Sequence, residues 1–128
     1  MITGWIYVVD DYSIFMGFSD SSSGLPPNGA GLFYSQANAN MLYSCTKASA
    51  QSSQSAIAAD LNWHVFNAKI NKAGTSATFT IDGANTQTIS TNIPNTNRVG
   101  LQSFILKSAG TTARTSDVDY IYLKMDFT

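Results

Sequence analysis

Two aspartates, Asp117 and Asp119, stand one residue apart in the stretch RTSDVDYIYLKMDF, at the mouth of a segment that alternates like a β-strand. Paired carboxylates can share acid and base work, hold a divalent cation, or fasten a loop. Their spacing bears differently on each. On a strand, residues i and i+2 project from one face with Cα atoms about 7 Å apart. The two carboxylates would therefore lie side by side, whereas glycosidic cleavage needs them on either side of a sugar. The chain contains no glutamate to replace one of them. No catalytic residue is expected, and the protein reads as a non-enzyme. Calcium would draw on the same pair with Asp20 or Asp82 and loop carbonyls, since it takes about six to eight oxygens. No fixed ligand spacing accompanies them, so no metal or other cofactor is expected, calcium being the one cation that the residues bring into question. The preferred role is structural. Asp117 or Asp119 would accept hydrogen bonds from loop amides or from Arg114, pinning Ser108–Thr115 against the last strand.

The single histidine, His64, alternates in phase with Phe66, Ala68 and Ile70, which places it on a strand face as a half-buried residue rather than a catalytic base. No nucleophilic serine or cysteine context stands near it. Cys45 is the only cysteine, so an internal disulfide is excluded, and it reads as a small buried apolar residue. Among the tyrosines, Tyr120 and Tyr122 share a face with Val118 and Lys124, opposite Asp119, Ile121, Leu123 and Met125. With the aliphatic face packed inward, Tyr120, Tyr122 and Lys124 look outward, free to stack on sugar rings or to meet another subunit.

The elements that must position these residues are β-strands. Short runs rich in Val, Ile, Tyr, Phe and Thr recur between clusters of Gly, Asn, Ser and Pro, the punctuation of an all-β sandwich or barrel. Strands are expected at Gly4–Asp10, Ile14–Phe18, Gly31–Gln36, Met41–Thr46, Trp63–Ile70, Arg98–Lys107 and Asp117–Phe127. The Gly31–Gln36 and Met41–Thr46 segments form a hairpin around Ala37–Asn40. Ser19–Asn28, with its Pro26-Pro27 pair, is an exposed loop. Lys47–Ser55 is a low-complexity stretch, and Ala56–Leu61 a short helical turn. The strongest local signal is SATFTIDGANTQTIS, Ser76–Ser90, where Asp82-Gly83 marks a tight two-residue hairpin turn. Ala77, Phe79 and Ile81 then share the dry face of this hairpin, and Thr78 and Thr80 the wet one.

A chain of 128 residues is long enough for one domain, spanning 1–128, with a core of its own. Seven Lys and Arg balance eight acidic residues, so nothing in the charge favours nucleic acid as a partner. No apolar run approaches the ~20 residues that span a bilayer, and membrane insertion is not expected. Ser, Thr, Asn, Gln and Gly carry the polarity, a composition common in secreted and virion β-proteins.

Taken in order, MGFSD at Met16–Asp20, PPNGAGLFY at Pro26–Tyr34, WHVFNAKI, TFTIDG, TNIP at Thr91–Pro94 and KSAGTTARTSDVDYIYL at Lys107–Leu123 span nearly the whole chain. This series resembles the concanavalin-like or laminin-G-like jelly-roll modules of bacteriophage tail, fibre and capsid decoration proteins. The resemblance implies a two-sheet antiparallel β-sandwich (jelly roll) presenting faces and loops to sugars or proteins. One strand precedes the GF.D element where such modules have several, so the fold is expected to be trimmed at its N-terminus, with an edge open to a neighbour. The expected function is that of a non-catalytic phage virion protein. It would bind other virion subunits as a homo-oligomer on the capsid or tail surface. Read as complete, the chain has no stalk or coiled coil, which favours decoration or cementing over a fibre. The alternative is a glycan-binding receptor-recognition module of a tail fibre, with host surface glycan as partner.

Overall fold

The structure, a computed structural model, describes residues 2–3, 12–21, 25–35 and 40–124. Alternation of apolar and polar side chains is converted into ten strands: β1 (Ile2–Thr3), β2 (Tyr12–Ser19), β3 (Gly29–Ser35), β4 (Asn40–Lys47), β5 (Ala50–Ala58), β6 (Phe66–Ile70), β7 (Ala77–Ile81), β8 (Asn85–Ile89), β9 (Gly100–Lys107) and β10 (Thr115–Ser116). Their order is β5-β4-β3-β2-β9 in one sheet and β6-β7-β8 in a second, with β1 and β10 forming a small separate pair. Every pairing is antiparallel. The protein is thus an all-β, two-sheet antiparallel sandwich. The expected strand at Gly4–Asp10 and the β3–β4 connection at 36–39 lie outside the described residues.

Register explains the core. Ile14 pairs with Tyr34 and Tyr34 with Met41, while Leu32 pairs with Tyr43 and Ala30 with Cys45. Opposite residues in a ladder share a face, so these side chains form one apolar surface. The second sheet covers it with Ala77, Phe79, Ile81 and Ile89, and Ile93 follows from the next loop. At the centre the rings of Tyr43, Phe66 and Phe79 stack nearly parallel, with Phe79 5.5 Å from Tyr43 and 6.2 Å from Phe66. The Tyr43 hydroxyl donates to the Asn85 carbonyl, which satisfies the one polar atom carried into this stack. Cys45 is fully buried, and desolvation pushes its thiol up to about 12.

The β7–β8 hairpin follows its sequence closely. Ala77, Phe79 and Ile81 are fully buried, whereas on the other face Thr78 pairs its hydroxyl with Thr88 and Thr80 with Thr86, at 3.1 and 3.0 Å. Asp82 and Gly83 adopt φ values of 54° and 70°, and the Ala84 amide donates to the Ile81 carbonyl at 3.1 Å, which defines a type I′ turn. Ile81 pairs with Asn85 rather than Ala84, so the connection holds one residue more than the expected two.

Elsewhere the structure corrects the sequence reading. The low-complexity stretch at Lys47–Ser55 contains a tight turn and most of strand β5, joined to β4 from Lys47↔Ala50 onward. Ala56–Leu61 is not helical: Ala56–Ala58 complete β5, and Asp60 then caps an Asx turn by accepting from the Asn62 amide at 2.9 Å. The Trp63–Ile70 segment becomes a strand only from Phe66. Loop Ser19–Asn28 is not uniformly exposed, because Pro26 is buried. Asp20 accepts from the Asn28 amide and side chain at 3.0 and 2.7 Å, and Asn28 in turn accepts from the Ala48 amide at 2.9 Å. Residues 117–124 do not form the expected strand Asp117–Phe127: ladder pairing stops with β10 at Ser116, and 125–127 lie outside the described residues.

Candidate interaction groove

The two flanks of the sandwich differ. Along the first, β5 meets β8 and the loop that follows it. Ser52 and Thr91 share a hydrogen bond of 2.6 Å, and Asn92 donates to Ser52 at 2.8 Å. Polar side chains close that side. Along the second flank, β9 and β6 are edge strands among the described residues, each paired there on one side only. β6 packs against β3, while β2 and β9 extend beyond it. The inward residues of this overhang, among them Met16, Phe18, Leu101 and Ser103, therefore line an open groove of about 600 Å³.

Its other walls come from two stretches. Trp63–Ala68 brings the entry and first half of β6, and Asp117–Leu123 runs along the opposite side. Trp63, Val65, Leu101, Val118, Tyr120, Ile121, Tyr122 and Leu123 are all exposed here, Tyr120 at 69% and Tyr122 at 81%. Scattered apolar side chains are normal on a protein surface, whereas these eight are gathered along one flank.

Of the expected polar anchor, Asp117 and Asp119 are exposed and line the groove, and the Arg114 guanidinium lies over the Tyr12 ring, 5.2 Å from its centroid. Tyr120, Tyr122 and Lys124 are exposed, but Ile121 and Leu123 on the opposite face are exposed as well, so the aliphatic face does not pack inward as expected. Trp63, Leu101 and Gln102 were missed as site residues. Trp63 reads from sequence as the first residue of a strand, and nothing in the sequence shows that β9 overhangs the second sheet.

His64, which also lines the groove, is half-buried as its spacing implies, but the strand expected to carry it begins only at Phe66. The histidine precedes β6 and bridges two carboxylates, with Nε2 2.8 Å from Asp60 and Nδ1 2.7 Å from Asp82. Asp82 also accepts the Val65 amide at 2.9 Å and donates its own amide to the Val65 carbonyl at 2.9 Å. The loop carrying Trp63 and Val65 is thereby fastened to the β7–β8 turn. Desolvation alone would lower the His64 pKa, but its hydrogen bonds to the Asp82 and Asp60 carboxylates together raise it above its ordinary value. The His64 hydrogen bond, aided by the Asn62 amide and side chain, holds Asp60 down at about 2, and His64 also lowers Asp82. With both ring nitrogens taken up by carboxylates, this histidine is arranged as a clasp. Among the described residues, no group of three or more His, Cys or Asp side chains is arranged to hold a metal ion.

The chain matches no protein-family model, no curated protein and no solved structure. What the geometry defines is a class: an antiparallel β-sandwich closed by polar bonds along one flank and open, apolar and aromatic along the other.

Proposed function

We propose that this protein is a non-catalytic structural protein of a bacteriophage virion. It binds other virion subunits as a homo-oligomer, decorating or cementing the capsid or forming part of the tail surface. The observation that carries the reading is the second flank, where a groove and eight exposed large apolar side chains coincide with two strands that, among the described residues, are paired on one side only. A monomer would keep that surface in water, whereas a neighbour would bury it. The virion assignment is supported by the jelly-roll-like series of motifs along the chain. Light scattering of the purified protein over a concentration series, and binding to particles lacking it, test the reading. Association that is lost in Leu101→Ser and Tyr122→Ser variants is expected. A strictly monomeric protein that binds no particle component would overturn it.

A second reading rests on the exposed rings of Trp63, Tyr120 and Tyr122, which could stack on sugars of a host surface. A glycan array separates the two. Specific sugar binding lost on Tyr122→Ala would favour a receptor-recognition module.

A further inference from the structure

The bridge that His64 makes is complete in only one protonation state. Its Nε2 lies 2.8 Å from Asp60 and its Nδ1 2.7 Å from Asp82. An ionised carboxylate only accepts, and a neutral imidazole has a single N–H, so the neutral ring would set a lone pair against one of the two carboxylates. The imidazolium, with two N–H groups, makes both bonds. Desolvation disfavours that form, but the hydrogen bonds to Asp82 and Asp60 outweigh it and raise the pKa above its ordinary value. The bridge is thus complete below 6.5 and is lost as pH rises through the raised value. Among the described residues, the charged groups that hold the ring are Asp60, from the segment after β5, and Asp82, from the β7–β8 turn. The charged and titratable groups that line the groove with it are Asp117, Asp119, Tyr120 and Tyr122. Unperturbed carboxyls titrate at about 4 and phenols at about 10, so around neutral pH it is an imidazole that changes charge.

The bridge supports one wall of the groove. Asp60 also accepts from the Asn62 amide and side chain at 2.9 and 2.8 Å, so its bond to His64 closes the short segment 60–64 that carries Trp63. Asp82 holds Val65 by two further bonds, through its carboxylate and its own amide, and these need no histidine. Trp63, His64 and Val65 all line the groove, and Trp63 is exposed in it. Whichever arm opens when the proton leaves, Val65 stays tied to the β7–β8 turn and the Trp63 side of the loop loses a support. Resting on the reading of this flank as an assembly surface, we propose that the Asp60–His64–Asp82 clasp is a proton-operated control on that surface. With His64 charged, Trp63 is held in the groove wall and the surface assembles. With the proton gone, one arm opens, Trp63 is released and assembly weakens.

Because the chain has a single histidine, the test is direct. The full chain, labelled with 5-fluorotryptophan, is titrated from about pH 5 to about pH 9 at constant salt. Proton NMR follows the His64 ring, fluorine NMR follows Trp63, whose signal is assigned by its loss in Trp63→Phe, and light scattering follows self-association. The His64 and Trp63 signals are expected to move with one midpoint, above 6.5. Association is expected to weaken about tenfold between about pH 6 and about pH 8.5, a coupling of ordinary size between two sites. His64→Gln keeps a polar side chain without a titrating ring, and should associate at both pH values as weakly as the wild type does at the higher one. Asp60→Asn removes one charge from the clasp, and should move the midpoints of both signals and of association to lower pH; circular dichroism checks both folds. A Trp63 signal that does not follow His64, a pH dependence in His64→Gln equal to that of the wild type, or midpoints unmoved in Asp60→Asn would overturn the proposal. The assembly reading fails separately. Association that is lost in Leu101→Ser yet constant across pH in the wild type keeps the assembly surface and rejects the proton control, whereas a wild type that stays monomeric throughout rejects both.

Discussion

Replacing Phe79 with alanine should remove the centre of the fold. The ring is fully buried on β7, the middle strand of the three-stranded sheet, and it lies against Tyr43 and Phe66 at 5.5 and 6.2 Å with interplanar angles of 8° and 9°. Deleting a buried aromatic costs about 3–5 kcal/mol, through lost transfer energy and the cavity left behind. Two parallel ring contacts vanish together, which places this site toward the upper end of that range, since an aromatic pair adds roughly 0.5–1.5 kcal/mol beyond burial. Against a total stability of about 5–15 kcal/mol for a domain, this is a large fraction, equivalent to a melting drop on the order of 10–20 °C. Urea unfolding followed by circular dichroism should show a lower midpoint at an unchanged slope. Phe79→Leu, which keeps most of the volume and loses the stacking, should cost less than about 1.5 kcal/mol. A loss below about 1 kcal/mol for Phe79→Ala would refute the packing argument, because it would mean the ring is not held between the two sheets.

Three further outcomes are expected. His64 has a pKa raised above 6.5 in the fold, so its contribution is complete below 6.5 and fades as pH rises through the raised value; Asp60, held at about 2 against an ordinary 3.8, contributes fully above 3.8 and fades as pH falls toward 2. The melting difference between wild type and His64→Gln should therefore be greatest between about pH 4 and pH 6.5, and a difference that does not vary with pH would discard the clasp. Ser49→Gly should stabilise the protein by about 0.5–1 kcal/mol in denaturant melts, since Ser49 sits at φ 66° where a side chain is strained, and a destabilised variant would show that the strain is absent. Gly17→Ala should leave the chain insoluble or unfolded on expression, because at φ 152° its methyl group would be driven into the Ala30 carbonyl; recovery of a soluble variant with native circular dichroism would contradict this close approach of β2 to β3.

The sequence carries its strands most clearly where local and tertiary demands agree. Ser76–Ser90 combines period-2 alternation with Asp-Gly at the turn, and both faces came out as the pattern requires. Strand β5 was hidden for the opposite reason. Its residues, AQSSQSAIA, have neither a strong apolar alternation nor high strand propensity, and the preceding turn uses Ala48 and Ser49 at φ 50° and 66° in place of glycine or asparagine. That turn is held from outside: the Ala48 amide donates to Asn28 at 2.9 Å and the Ser49 amide to the Pro27 carbonyl at 2.9 Å. Contacts across some twenty residues of sequence fix it, so no local signal could announce it. The partners of half-buried His64 were hidden in the same way. Its phase with Phe66 is real, but Asp60 and Asp82, four and eighteen residues away, decide where the ring goes.

The C-terminal segment fails as a strand for a reason that bears on function. Its alternation of Val118, Tyr120 and Tyr122 against Asp119, Ile121 and Leu123 is as regular as that of any strand in the protein, yet alternation states only which faces a chain can offer. A strand exists when a neighbour supplies the other half of the ladder, and residues 117–124 have no ladder partner among the described residues. Across the groove, β6 is likewise paired on one side only among the described residues. Two strand-capable edges thus face one gap, with an apolar floor between them and carboxylates on the rim. A sequence that alternates without a ladder in its own fold is matched, in the proposed assembly, by an edge that lacks a neighbour among the described residues.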